Sequence, residues 1–147
     1  MADPPTATPD PLALLRPRRR IEGISAVLLP FTAAGEIDWE GFAAHVARTR
    51  DSRIVPAVNM DTGHVHALDD ATRRRVLATA REVLGAPRPG DLVAGACVID
   101  RPGDPFHEAR HLAECEPILE AGATPVLFPS HGLNAGGDAD VMALAGW

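Results

Sequence analysis

Three groups of side chains in this sequence have types and spacings that chemistry can use. "DTGHVH", Asp61 to His66, sets a carboxylate, a hydroxyl and two imidazoles around Gly63; "SHG" puts Ser130 beside His131; and "HEARH", His107 to His111, fits the zinc-peptidase pattern H-E-x-x-H. At the first, Gly63 lets a ligand approach the backbone closely, and the amides of such a turn can hold a carboxylate or a phosphate. The charge of Asp61 opposes an anion there unless it is turned away or protonated. His64 and His66 reach the same rim. An imidazole titrates near neutrality, so His131 is a candidate acid or base. Spacing alone leaves open a second reading, polar loop residues without chemistry.

The third group is weaker. A peptidase centre needs a third ligand, a water and a cleft. The extended pattern H-E-x-x-H-x-x-G-x-x-H fails because "LAECEP" follows, and no acidic residue lies between Glu120 and Asp138. At about 100° per residue, Ala109, Leu112, Cys115 and Leu119 form the stripe expected to pack on a sheet. His107 and His111 then face largely outward near Glu114. The expectation is a solvated helix face, with a small metal-dependent hydrolase using His107 and His111 as the minor alternative.

The elements that must position these groups recur. "GISAVLLPF" is apolar on both faces, as a buried parallel strand is. "TAAGE" turns the chain into a helix over "IDWEGFAAHVARTR", capped by Asp38, with Trp39, Phe42, Ala43, Val46 and Ala47 on one face. "RIVPAVNM" is a second strand. "LDDATRRRVLATAREVLG" is a second helix, capped by Asp69, striped by Val76, Leu77, Ala80, Val83 and Leu84, and stopped by Gly85. "DLVAGACVI" and "TPVLFPS" are further strands. Between them lies a helix expected to start at Asp104 and Pro105 and to kink or break near Glu116, before Pro117. "DADVMALAGW" starts a fourth helix. Strand starts about thirty to forty residues apart match repeated strand–helix units, in a doubly wound sheet or part of an eight-stranded barrel. No G-x-G-x-x-G follows the first strand, which weakens a dinucleotide fold.

Composition narrows the function classes. The 147 residues suit one domain, and a formal charge of −6 disfavours nucleic-acid or membrane binding as a general role. The proline-rich segment 1–20, ending in "RPRRR", reads as a disordered leader, with an ordered domain over 21–147. No apolar run reaches membrane-spanning length and no secretory start is present, so a cytoplasmic setting is expected. Cys97 and Cys115 make neither a disulfide framework nor a zinc knuckle. All basic side chains are arginines and tyrosine is absent. Chemistry that requires a side-chain amine or a phenol cannot be completed by this sequence.

From Ile21 to Trp147 the sequence resembles the dihydrodipicolinate synthase and N-acetylneuraminate lyase family, pyruvate-handling aldolases on a (β/α)8 barrel. The residues carrying the resemblance are "GISAVLLPFTAAGEIDWEGFAAHV" and "LVAGACV", with "EAGATPVLFPSHGLN" set against P-x-Y-Y-N. Thr62, Gly63, Leu68, Arg73, Val76 and Leu77 match T-T-G-E-x-x-x-L-x-x-x-E-R-x-x-V-L. The resemblance implies an α/β fold, a partial TIM barrel of about four strand–helix units forming the N-terminal half. It implies that Asp61, Thr62 and Gly63 bind a small 2-oxo acid and that Thr62 and His131 relay protons, with no metal and no cofactor. Asp61 replaces a threonine, His64 a glutamate and His131 a tyrosine. The Schiff-base lysine of such relatives lies beyond Trp147, so this chain alone is expected to be inactive. Four strands would leave about eight apolar side chains uncovered, at roughly 1.5–3 kcal/mol for each large one. Self-association or a complementary half-barrel is therefore expected. A non-catalytic, self-associating α/β protein is the other main reading.

Overall fold

The computed structural model describes Leu12, residues 15–18 and residues 21–136. Strands β1 (Ile24–Ala26), β2 (Val55–Val58), β3 (Val93–Ala96) and β4 (Thr124–Leu127) alternate with helices α1 (Trp39–Asp51), α2 (Asp70–Leu84), α3 (Glu108–Glu120) and α4 (His131–Gly136). The leader lies mostly outside the described residues, and the helix expected over 138–147 lies outside them entirely.

The strands form one parallel sheet in the order β1-β2-β3-β4. Sequential order with crossovers of one hand winds all the helices onto one face, as in a barrel wall; a doubly wound sheet reverses its strand order. The fold is thus α/β, four parallel strands flanked by helices, consistent with a partial (β/α) barrel.

Local chemistry sets most of the boundaries. Asp38 accepts the Gly41 amide at 2.8 Å and Asp69 the Thr72 amide at 2.8 Å, so each helix starts where a carboxylate meets free N–H groups. Gly85 ends α2 at φ 69°, left-handed backbone that glycine adopts without strain. Phe42 and Val46 of α1, Val76, Leu77 and Ala80 of α2, and Cys115 and Ile118 of α3 pack on Val27, Val58, Ala94 and Ala96.

Four expectations are corrected. First, β1 is not buried on both faces: Ile24 is 61% exposed and Leu28 50%, because strand alternation turns them to the face that no helix covers. Second, α3 starts at Glu108, and its cap residue His107 makes no side-chain capping bond. Asp104 instead accepts the Arg101 amide in the preceding turn. Third, α3 buries His111, Cys115 and Ile118, whereas Leu112 and Leu119 stay exposed. Fourth, no break follows Glu116. The helix passes through Pro117, and burial of Ile118 and Ala121 in the core offsets the roughly 3 kcal/mol of an interior proline.

Candidate functional site

The segments that leave β2, β3 and β4 at their carboxyl ends carry the chemistry-bearing residues, as parallel strands require. After β2, Asn59 takes left-handed backbone (φ 52°), and its Nδ2 donates to the Arg73 carbonyl at 3.0 Å. Two single-turn 3-10 helices follow, Asp61–Gly63 and Val65–Ala67, joined at His64 (φ 55°). Asp61, Thr62, His64 and His66 are exposed on this rim. Asp61 Oδ1 lies 3.9 Å from His66 Nδ1.

Two of the amides that the sequence of this turn implied for a ligand are already used. Gly63 N–H donates to the Met60 carbonyl at 2.9 Å and His64 N–H to that of Asp61 at 2.8 Å. Nothing lies within 4 Å of a β-carbon built on Gly63, and the left-handed residue is its neighbour His64. Among the described residues the Thr62 hydroxyl has no hydrogen-bond partner, so it remains open to a ligand.

After β3 come Cys97 and Asp100. Burial pushes the Cys97 thiol above its ordinary range; the Arg73 guanidinium opposes this, and the charges of Glu114, Asp61 and Asp100 add to it. The rims after β2 and β3 therefore share one electrostatic neighbourhood. Arg73 organises its floor, reaching the Cys97 carbonyl at 3.3 Å and pairing with Glu114 at 3.1 Å and with Asp70.

After β4 the chain enters α4, a short helix that is not among the elements expected from the sequence. Asp100, thirty-one residues upstream, accepts the His131 amide on Oδ1 and the Gly132 amide on Oδ2, each at 2.8 Å. Ser130 Oγ accepts the Leu133 amide at 3.1 Å, a local N-cap that was visible in the sequence. These bonds fix the backbone of His131 and leave its ring exposed at the rim.

His111 reverses its expected placement. It is 2% exposed, with Nδ1 at 3.1 Å from the His107 carbonyl and Nε2 at 3.3 Å from Ser130 Oγ. The carbonyl accepts from Nδ1–H, and Nε2 pairs with the Ser130 hydroxyl. Both ring nitrogens are thus engaged, which removes His111 from a zinc pair with His107. Among the described residues no group of three or more His, Cys, Asp or Glu side chains is placed to hold a metal ion. No described helix is long and apolar enough to cross a membrane.

The Asp100 clamp gives a pH prediction. Its carboxyl is held below the usual carboxylate range, first by the Gly132 N–H; burial opposes this, and the His131 N–H, Ser130 and the His131 charge together outweigh the opposition. A carboxyl with a depressed folded pKa stabilises above its unfolded value of about 3.9, and the stabilisation is lost as pH falls through the folded value. Amide exchange at His131 and Gly132 is expected to accelerate as pH falls below about 4, beyond its intrinsic dependence. Asp100→Asn should show weak protection at every pH; a wild-type profile as flat as the variant's contradicts the clamp.

No family model and no curated protein matches the sequence. Among solved structures, the fold is similar to that of "a putative dihydrodipicolinate synthetase from Pseudomonas aeruginosa", with a TM-score of 0.61 and 18% identity over 75% of this chain. The match spans 36% of that protein, so this chain corresponds to a part of its length. At this identity the likeness concerns the fold.

Proposed function

We propose that this chain is the N-terminal part of a barrel lyase acting on pyruvate or a related 2-oxo acid. The observation that carries the reading is the sequential parallel sheet, similar in fold to that synthetase, with Thr62, Asp100 and His131 on the exits of neighbouring strands. In this reading the Thr62 hydroxyl donates to the substrate carboxylate, and the exposed His131 ring moves a proton at the adjacent carbon. An imine needs an amine, and this sequence has no lysine, so a Schiff base has to come from a lysine outside it. Asp61 is the unfavourable element, because a carboxylate on the same rim repels the substrate's.

The test follows from Asp61. Pyruvate titrated into the full chain and followed by NMR should shift Thr62 and His131 signals weakly. Asp61→Thr should bind about tenfold tighter, a change of about 1.4 kcal/mol. Borohydride added with pyruvate should leave the polypeptide mass unchanged in both forms. Equal binding by the two forms, or shifts confined elsewhere, would remove the substrate assignment. A second reading, a self-associating α/β protein without catalysis, is favoured by the exposed apolar residues Ile24, Leu28, Phe31 and Ile99.

A further inference from the structure

At the opposite end of the sheet, where β2 and β3 begin, Arg50, Arg53 and Arg88 line one cleft of about 360 Å³. They come from three places: the last turn of α1, the turn before β2 and the segment between α2 and β3. Arg50 is already engaged, its Nη1 donating to the Val83 carbonyl at 2.8 Å and its Nη2 pairing with Asp51 at 2.9 Å. The guanidinium groups of Arg53 and Arg88 have no partner among the described residues. Asp91, the acid of this cleft, spends Oδ2 on the backbone amide of Arg88. With Arg50 paired to Asp51, two arginines unpaired among the described residues share the lining with one carboxylate, in a chain whose net charge is −6.

Backbone strain gathers at the same place. Arg53 (φ 59°) and Ala86 (φ 62°), both lining the cleft, hold left-handed backbone that disfavours a residue with a β-carbon. The surrounding segment is tied down. Gly90 N–H donates to Thr124 Oγ1 at 3.1 Å, and a β-carbon on Gly122 would stand 2.5 Å from the Pro87 carbonyl oxygen. Strain persists where the surroundings over-determine it, and here it sits in the same lining as two arginines without a side-chain partner among the described residues. Ile54, Val55, Leu84 and Pro87 supply an apolar wall beside them.

From this arrangement we infer that the cleft binds a small phosphomonoester with an apolar body. The forked donors of Arg53 and Arg88 match phosphate oxygens, and the apolar wall receives the organic part. The site lies at the other end of the strands from Thr62 and His131, so it is independent of the lyase reading.

Phenyl phosphate is the probe, titrated into the full chain and followed by NMR of backbone amides and arginine Nε groups. Saturable shifts centred on Arg53, Ala86 and Arg88 are expected, with a Kd below about 1 mM. Inorganic phosphate should bind more weakly. Arg88→Gln should weaken phenyl phosphate about tenfold, and Arg101→Gln, at the other end of the sheet, should leave it unchanged. The decisive variant is Arg53→Gly, which relieves the left-handed backbone while removing the guanidinium: it should melt at a higher temperature yet bind at least about tenfold more weakly. Non-saturating shifts, or an Arg53→Gly protein that is more stable and binds equally well, would overturn the site.

Discussion

Gly95→Ala is expected to lower the melting temperature by about 10 °C or more, the equivalent of roughly 3 kcal/mol from overpacking. A β-carbon at this position would stand 2.2 Å from the Asn59 carbonyl oxygen and 2.6 Å from the Phe128 ring. The Asn59 carbonyl, a backbone atom, cannot retreat cheaply. Asn59 is buried in left-handed backbone with its amide tied to α2, and Phe128 donates its backbone N–H to the Ala96 carbonyl at 3.1 Å. Asn59 leads directly to the Asp61–Gly63 turn and Phe128 to Ser130 and His131, so the clash should displace both rims. Thermal melting with NMR of the His131 and Thr62 amides would read the two effects together. Gly63→Ala is the matched control, because no atom lies near its β-carbon and its φ is not left-handed. It should change stability by less than about 0.5 kcal/mol. If the two glycines respond alike, the close crossing at Gly95 does not organise the site.

The second large effect concerns assembly. Leu28, Phe31 and Ile99 are each at least half exposed, and β1 and β4 are the sheet edges among the described residues. Exposed apolar side chains on a sheet whose edges are unpaired favour association with another surface of this kind. At low micromolar concentration the chain is expected to sediment as a species larger than a monomer. Leu28→Glu combined with Ile99→Glu should return it to the monomer, since each carboxylate would have to be buried at the contact. A wild-type chain that sediments as a monomer and melts cooperatively would remove this expectation, and with it the self-associating reading. The substitutions lie away from Phe42, Val46 and Leu77, so a folded monomeric variant remains available for measurement.

The rest of the architecture differs in how far it could be read from local sequence. The first two helix starts were legible because their caps are local: Asp38 and Asp69 each lie three residues before the amide they accept. Ser130 carries the same kind of local signal, three residues before the Leu133 amide it accepts. The other half of the α4 cap was not legible, because Asp100 reaches it from thirty-one residues away. The start of α3 misled for a related reason. Asp104 looks like a cap, but its carboxylate is used by Arg101 in a preceding turn.

The inward face of α3 could not be read by hydrophobicity alone. Ala109, Leu112 and Leu119 are the more apolar choice, yet His111 lies inside, where a carbonyl and Ser130 satisfy both its nitrogens. A buried imidazole is tolerated when its polar atoms are paired, and that pairing depends on a strand exit distant in sequence. The Asp61–Gly63 turn shows the converse. Its residues invite an anion, but two of its amides are consumed within the turn.

Residue types and local periodicity determined that this chain alternates four strands with helices, and the absence of lysine determined that none of its side chains can form an imine. Tertiary structure alone decided the sheet order, the burial of His111, the clamping of His131 by Asp100 and the convergence of Arg53 with Arg88. The physical reason is range. Propensity and capping act within about one helical turn, whereas desolvation and charge pairing depend on neighbours brought close only when the chain has folded.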